Sequence, residues 1–195
     1  KGRASAVVLL GRVLQELFDR VPLRLISAVS GMKANAIPSH AEAMLAVPES
    51  DVSKAEAVLR EMQSILRAEY AVADPNITLT LEAQGKASHA LSEHATRRVC
   101  AFLCLAPNGV AAMSMDIPGL VQTSDNLGIF RVENGHLTGT FSVRSSVATQ
   151  KQMLLTRIRL LCEGLDGTAT NTSSYPAWEY RRESPLRDAM VRVFT

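Results

Sequence analysis

The chain has 195 residues, 47% of them hydrophobic and 21% charged, enough to bury one substantial core or two small ones. A formal charge of +2 and an aromatic content of 5% supply neither the basic footprint nor the stacking platform of a nucleic-acid binder. Cys100, Cys104 and Cys162 show no framework spacing and read as reduced, buried thiols of a cytoplasmic protein, and no apolar run approaches bilayer length, which points to a soluble domain without membrane contact.

In chain order, Val7, Leu10, Leu14, Leu17 and Phe18 recur at helical spacing and predict an amphipathic helix over 3–20, ended by Val21-Pro22. A strand follows over 23–31, then a loop around Asn35, then an antiparallel partner over 43–47. Ser50 is placed to cap a second helix over 51–70, with Val52, Val58, Leu59, Met62, Ile65 and Leu66 as its buried stripe. Past the turn Asp74-Pro75-Asn76, residues 77–82 (ITLTLE) alternate cleanly and predict a strand with one solvated face.

The order then repeats. A third helix is expected over 88–105, followed by a Pro- and Gly-punctuated connector over 106–118. Strands over 120–132 and 136–144 flank Asn134-Gly135, the strongest hairpin signal in the chain. Thr149 and Gln152 form a capping box for a fourth helix carrying Leu154, Ile158, Leu161 and Leu165, with Gly164 and Gly167 at its C-terminal end. Residues 168–174 read as a last strand, and Ser184-Pro185 opens a short helix running to the chain end. Each half is thus expected to run helix–strand–strand–helix–strand. The predicted fold is α+β: an antiparallel sheet with helices on one face, in two tandem ferredoxin-like halves. The expected domain spans 1–183, with halves of about 1–86 and 87–183, and 184–195 leads onward. Lys1 is not an initiator methionine, so the chain reads as an excised piece of something longer.

Asn35 stands near the turn between the first two strands, where Pro38 pushes Ile37 toward extended geometry and holds the loop open. Its amide can donate and accept hydrogen bonds in a binding role, or it can simply stabilise the turn. His40, His89, His94 and His136 show no ligand spacing with one another or with acidic residues, so surface or capping roles are expected and no metal site in this chain. Cys100 and Cys104, four apart on a helix, read as core.

At Asn35-Ala36-Ile37-Pro38 the sequence resembles the aminoacyl-histidine dipeptidases (Xaa-His dipeptidases, PepD-type) of the zinc-dependent exopeptidase clan. The opening KGRASA is similar to the segment after that family's Gly-Gly-His-Ser-Gly motif. Ala106-Pro107-Asn108-Gly109-Val110 resembles "TPNGV", and Val121-Gln122-Thr123-Ser124-Asp125-Asn126-Leu127-Gly128 resembles "VETSxNLG". Phe141-Ser142-Val143-Arg144-Ser145-Ser146 matches a family strand ending in Arg-Ser, and Tyr175-Pro176-Ala177-Trp178 resembles "YPGW" with Ala177 in place of Gly. Each motif is weak alone; five in the correct order are specific.

The resemblance implies that the chain is the lid, or dimerisation domain, inserted into the catalytic domain of such an enzyme. Two zinc ions, their ligands and the general base then belong to a catalytic domain outside this sequence, and the isolated chain is expected to be inactive. It implies further that Asn35 matches the lid Asn that bonds the substrate near the scissile carbonyl. Arg144 matches the lid Arg that grips the dipeptide's C-terminal carboxylate; read without the family, it is an ordinary strand-end ion pair. Thr123 and Asn126 are expected to support these two from behind. The implied partners are the catalytic domain of the same polypeptide, the dipeptide substrate and a second copy of the parent chain. The sequence departs from the pattern at Ala34, where Arg is common, and at Ser39-His40, where the family tends to Arg-Glu. Charged groups beside the site are therefore missing, which leaves the preference for a histidine leaving residue open. The rival expectation is a stand-alone ferredoxin-like module that binds a small molecule or a partner's edge strand.

Overall fold

The computed structural model describes residues 2–177, 180–181 and 183–194. Lys1 of KGRASA and Trp178 of YPAW lie outside the described residues. Helix α1 (Ala6–Arg20) leads into strands β1 (Arg24–Ser30) and β2 (Ala41–Ala46), and a 3-10 turn (Glu49–Asp51) opens α2 (Val52–Glu69). The second half holds α3 (Glu93–Leu105), β3 (Gly109–Met113), β4 (Val121–Glu133), β5 (His136–Ser145) and α4 (Ala148–Gly164), and α5 (Pro185–Phe194) follows.

Strand β4 is the axis of one antiparallel sheet. Its residues 123–133 pair with β5 along one edge. The other edge is shared: residues 130–132 pair with β1 and residues 121–125 with β3. Strand β2 closes the sheet outside β1. Equivalent elements of the two halves meet, since β1 lies beside β4 and α1 packs on α3. That helix contact is close: a Cβ on Gly11 would stand 2.7 Å from the Leu103 Cβ, so only glycine lets the helices approach this far.

Thr123, Asp125, Leu127, Phe130 and Val132 of β4 are buried, while their alternates are only partly covered. The period of two, reset by a bulge between Leu127 and Ile129, divides the sheet into a helix-covered face and an open one. On the covered face Val7, Leu14, Leu25, Val99, Phe102, Leu127 and Phe130 form one core, joined by Leu161 of α4 and by Leu165 just past its end. Phe102 stacks on Phe130 with ring centroids 6.1 Å apart and meets Phe141 edge-on at 6.2 Å. A second core joins α1 and α2 through Leu17, Leu23, Val58, Met62 and Leu66. The α+β class, the antiparallel sheet and the helices on one face are as expected.

Several local expectations need correcting. Residues 77–82 and 168–174 are not strands, so the halves lack the final strand of the expected ferredoxin-like order. Ile77 and Leu79 do turn inward against the second core. Their backbone, however, bonds helix side chains: the Ile77 carbonyl accepts from Arg67 at 2.6 Å and the Leu79 N–H donates to Gln63 at 2.7 Å. Residues 168–174 (TATNTSS) are exposed, with no apolar face to bury against a sheet. Conversely, the expected connector contains β3, an edge strand whose small, exposed residues gave no alternation. Ser50 and Thr149 do not cap: α2 and α4 begin after Asp51 and Val147 without a side-chain capping bond. Ser92 does cap α3, its oxygen accepting from the Ala95 N–H at 3.1 Å. At the β4–β5 turn Asn134 (φ 51°) and Gly135 (φ 78°) take the two left-handed positions of a type I′ hairpin.

Candidate functional site

The loop of residues 31–40 fills the notch on the β4 edge between β1 and β3. Its carbonyls are taken one after another. Arg131 donates from Nη1 to the Ser30 carbonyl and from Nη2 to that of Gly31, each at 2.7 Å. The Asn126 Nδ2 donates to the carbonyls of Ala34 (2.9 Å) and Ala36 (2.8 Å), one on each side of Asn35. The first N–H of α1, on Ala6, donates to the Pro38 carbonyl at 2.8 Å, and the Ser30 hydroxyl donates to that of His40 at 2.9 Å. An Ala36 N–H to Lys33 carbonyl bond (3.2 Å) tightens the tip.

Beneath the tip the backbones nearly touch. A Cβ on Gly128 would lie 2.2 Å from the Ala34 oxygen, and one on Gly31 (φ +69°) would lie 2.0 Å from the Gly128 oxygen. Both positions therefore require glycine. The ladder gap that the loop and the bulge leave at Leu127 is filled by the Asn108 side chain, which accepts from the Leu127 N–H at 3.1 Å. With its backbone held this way, the loop presents Asn35 exposed at its tip. Among the described residues no hydrogen bond or ion pair engages the Asn35 side chain.

Arg144 is exposed on β5, opposite Ser124 of β4, and Ser142 stands opposite Asn126. Directly opposed residues share a face, so Arg144, Ser142, Ser124 and Asn126 all lie on the open side. Ordinary strand spacings put the Cα atoms of Asn126 and Arg144 about 8 Å apart. Among the described residues the Arg144 guanidinium has no ion-pair partner, so the strand-end salt bridge is not what the structure shows. Thr123 faces the opposite, buried way and shares a 2.8 Å hydrogen bond with the Ser145 hydroxyl. Ser145 also bonds Val147 at 2.9 and 3.0 Å, which anchors the strand end next to Arg144. The structure thus gathers Asn35, Asn126 and Arg144 on one surface and puts Thr123 behind it.

Asp125 is buried behind these positions with Oδ2 lacking a hydrogen-bond partner among the described residues, and burial pushes its carboxyl up to about 6, opposed by a backbone hydrogen bond and, less, by Arg157. Burial likewise pushes the Cys100 thiol up to about 11, away from the reactive thiolate. Among the described residues no three His, Cys, Asp or Glu side chains converge to hold a metal ion. His40 instead meets Glu42 at 2.8 Å and His89 meets Ser88 at 3.0 Å. No helix among the described residues is long and apolar enough to cross a membrane.

Sequence reasoning missed Arg131, and it quoted Gly128 only as a motif letter. The signal was present in the run Asn126-Leu127-Gly128, but its meaning depends on a loop some 90 residues away.

Residues 1–74 match the family model described as the peptidase dimerisation domain. The chain is 27% identical over 197 residues to the cytosol non-specific dipeptidase of Escherichia coli (strain K12), covering 99% of this chain and 41% of that protein. It is also similar to the crystal structure of aminoacylhistidine dipeptidase from Vibrio alginolyticus, with a TM-score of 0.91 and 25% identity over 96% of this chain and 38% of that one. The chain spans about two fifths of the length of these relatives. By the order of its motifs, the match of residues 1–74 to the peptidase dimerisation domain and its fold, the chain is similar to the dimerisation-domain part of PepD-type dipeptidases.

Proposed function

We propose that this domain is the substrate-gripping lid of a cytoplasmic metallo-dipeptidase that acts on Xaa-His-type dipeptides. Asn35 and Arg144, drawn from the two halves, bear on one substrate. The observation that carries this reading is the open face itself, where an anchored loop presents the Asn35 amide on the same side as the Arg144 guanidinium, neither bonded to another side chain among the described residues. Peptide hydrolysis places negative charge on the scissile carbonyl oxygen as water adds. The Asn35 amide donates to that oxygen as the charge grows, the kind of stabilisation that lowers a barrier rather than merely binding substrate. The Arg144 guanidinium forks onto the free carboxylate one residue further on, which favours a dipeptide over a longer chain. The two zinc ions of such an enzyme belong, in this reading, to a catalytic domain elsewhere in the polypeptide, and a second copy of the parent chain is its partner through this domain.

The test is kinetics of the full-length protein on a carnosine-like dipeptide. Asn35→Ala should lower kcat about 100- to 1,000-fold, the usual loss for one oxyanion donor. Arg144→Ala should lower kcat/KM about 10- to 100-fold, the scale of a hydrogen bond to a charged group. Arg144→Lys should not restore it, because an ammonium cannot fork onto a carboxylate. Zinc content should be unchanged throughout. Wild-type kinetics in Asn35→Ala and Arg144→Ala would remove the reading.

A further inference from the structure

We propose that Asn126 is a positioning residue that acts on turnover through Asn35, by clamping the first half's loop to the central strand of the second half. The proposal rests on the role of Asn35 given above and adds the device that holds it.

The argument is one of donors and carbonyls. A side-chain amide has two N–H bonds to give. Asn126 gives them to Ala34 and Ala36, at 2.9 and 2.8 Å, so that one side chain holds the peptide on either side of residue 35. Among the described residues it is the one side chain that hydrogen-bonds the loop tip. The other ties act at the roots: Arg131 on Ser30 and Gly31, Ala6 on Pro38, and Ser30 on His40. The floor is equally specific, because Gly128 leaves the space that the Ala34 carbonyl occupies. Both clamp elements come from the same three-residue run of β4, Asn126 just before its bulge and Gly128 as the residue the bulge inserts.

Loss of the Asn126 amide therefore frees the tip while the roots stay fastened. The residue lies on the open face and is partly exposed, so its truncation opens no cavity in either core. What changes is where Asn35 points. A misplacement on the order of 1 Å at a reacting centre costs about 100-fold in rate.

The experiment is a double-mutant cycle in the full-length enzyme with a dipeptide substrate, read together with amide hydrogen exchange. Asn126→Ala, and Asn126→Asp, which keeps the shape but not the donors, should lower kcat and kcat/KM together by about 100-fold. In an Asn35→Ala background the same substitutions should change the rate less than about twofold, since nothing is left to position. The Ala36 amide, bonded to the Lys33 carbonyl at the tip, should exchange faster in the Asn126 variants while those of the β4–β5 ladder keep their protection, which also reports that the variants are folded. Losses that multiply in the double variant, or unchanged exchange of the Ala36 amide, would overturn the clamp. Full activity in Asn126→Ala beside a crippled Asn35→Ala overturns the positioning alone and leaves the role of Asn35 standing. Full activity in Asn35→Ala overturns both.

Discussion

Gly128→Ala tests the contact on which the whole site is built. The added methyl would stand 2.2 Å from the Ala34 oxygen and 2.5 Å from both the Ala34 carbon and the Lys33 oxygen. All three are backbone atoms of the loop, with no flexible side-chain end to move aside. Tight real contacts begin near 3.0–3.4 Å, so the tip must rise by about 1 Å, the displacement that at a reacting centre costs about 100-fold. Forcing a methyl into packed surroundings costs about 1–3 kcal/mol. Gly164→Ala is the internal control: its methyl meets nothing within 4 Å, and at the end of α4 it should be neutral or add up to about 1 kcal/mol. Urea unfolding of the two variants, with exchange of the Ala36 amide that bonds the Lys33 carbonyl, reads both effects. A Gly128→Ala protein with the wild-type midpoint and wild-type exchange of the Ala36 amide would show that the loop does not sit on β4 as described.

Two further expectations concern stability. The Asp125 carboxyl holds its proton up to about 6 in the fold, against an ordinary value of 3.8, so the native state binds the proton more tightly than the unfolded chain. The sign follows: stability falls as pH rises from about 4 to about 6, by about 3 kcal/mol, and stays at the lower level above that range. Asp125→Asn should flatten this slope and gain up to that amount at pH 7; urea midpoints from pH 4 to 8 that run parallel to wild type would contradict it. Phe130 is fully buried against Phe102, so Phe130→Ala should lose about 3–5 kcal/mol in the same assay. A loss below about 1 kcal/mol would mean that this core is not packed as the structure has it.

The sequence alone determined the elements whose signals are local. The stripe through Val7, Leu14 and Leu17 placed α1, that through Val58, Met62 and Leu66 placed α2, and Asn134-Gly135 set the β4–β5 hairpin. Periodicity and turn chemistry act within a few residues, and no distant partner is needed to read them. The motifs around Asn35, Asn126 and Arg144 were likewise visible as letters, and their order was enough to suggest the family. What the letters do could not be read. Alternation in 77–82 promised a strand, yet its backbone groups found Gln63 and Arg67 instead of a ladder. Small residues hid β3, because an exposed edge strand has little apolar face to advertise. Only the tertiary structure brought β1 and β3 to one edge of β4 and left between them a notch that the Asn35 loop fills. The reason is physical: an amide bonded to two carbonyls 90 and 92 residues away, over a glycine that must lack its methyl, depends on how two backbones approach. That approach is settled by packing across the halves, which no local pattern encodes.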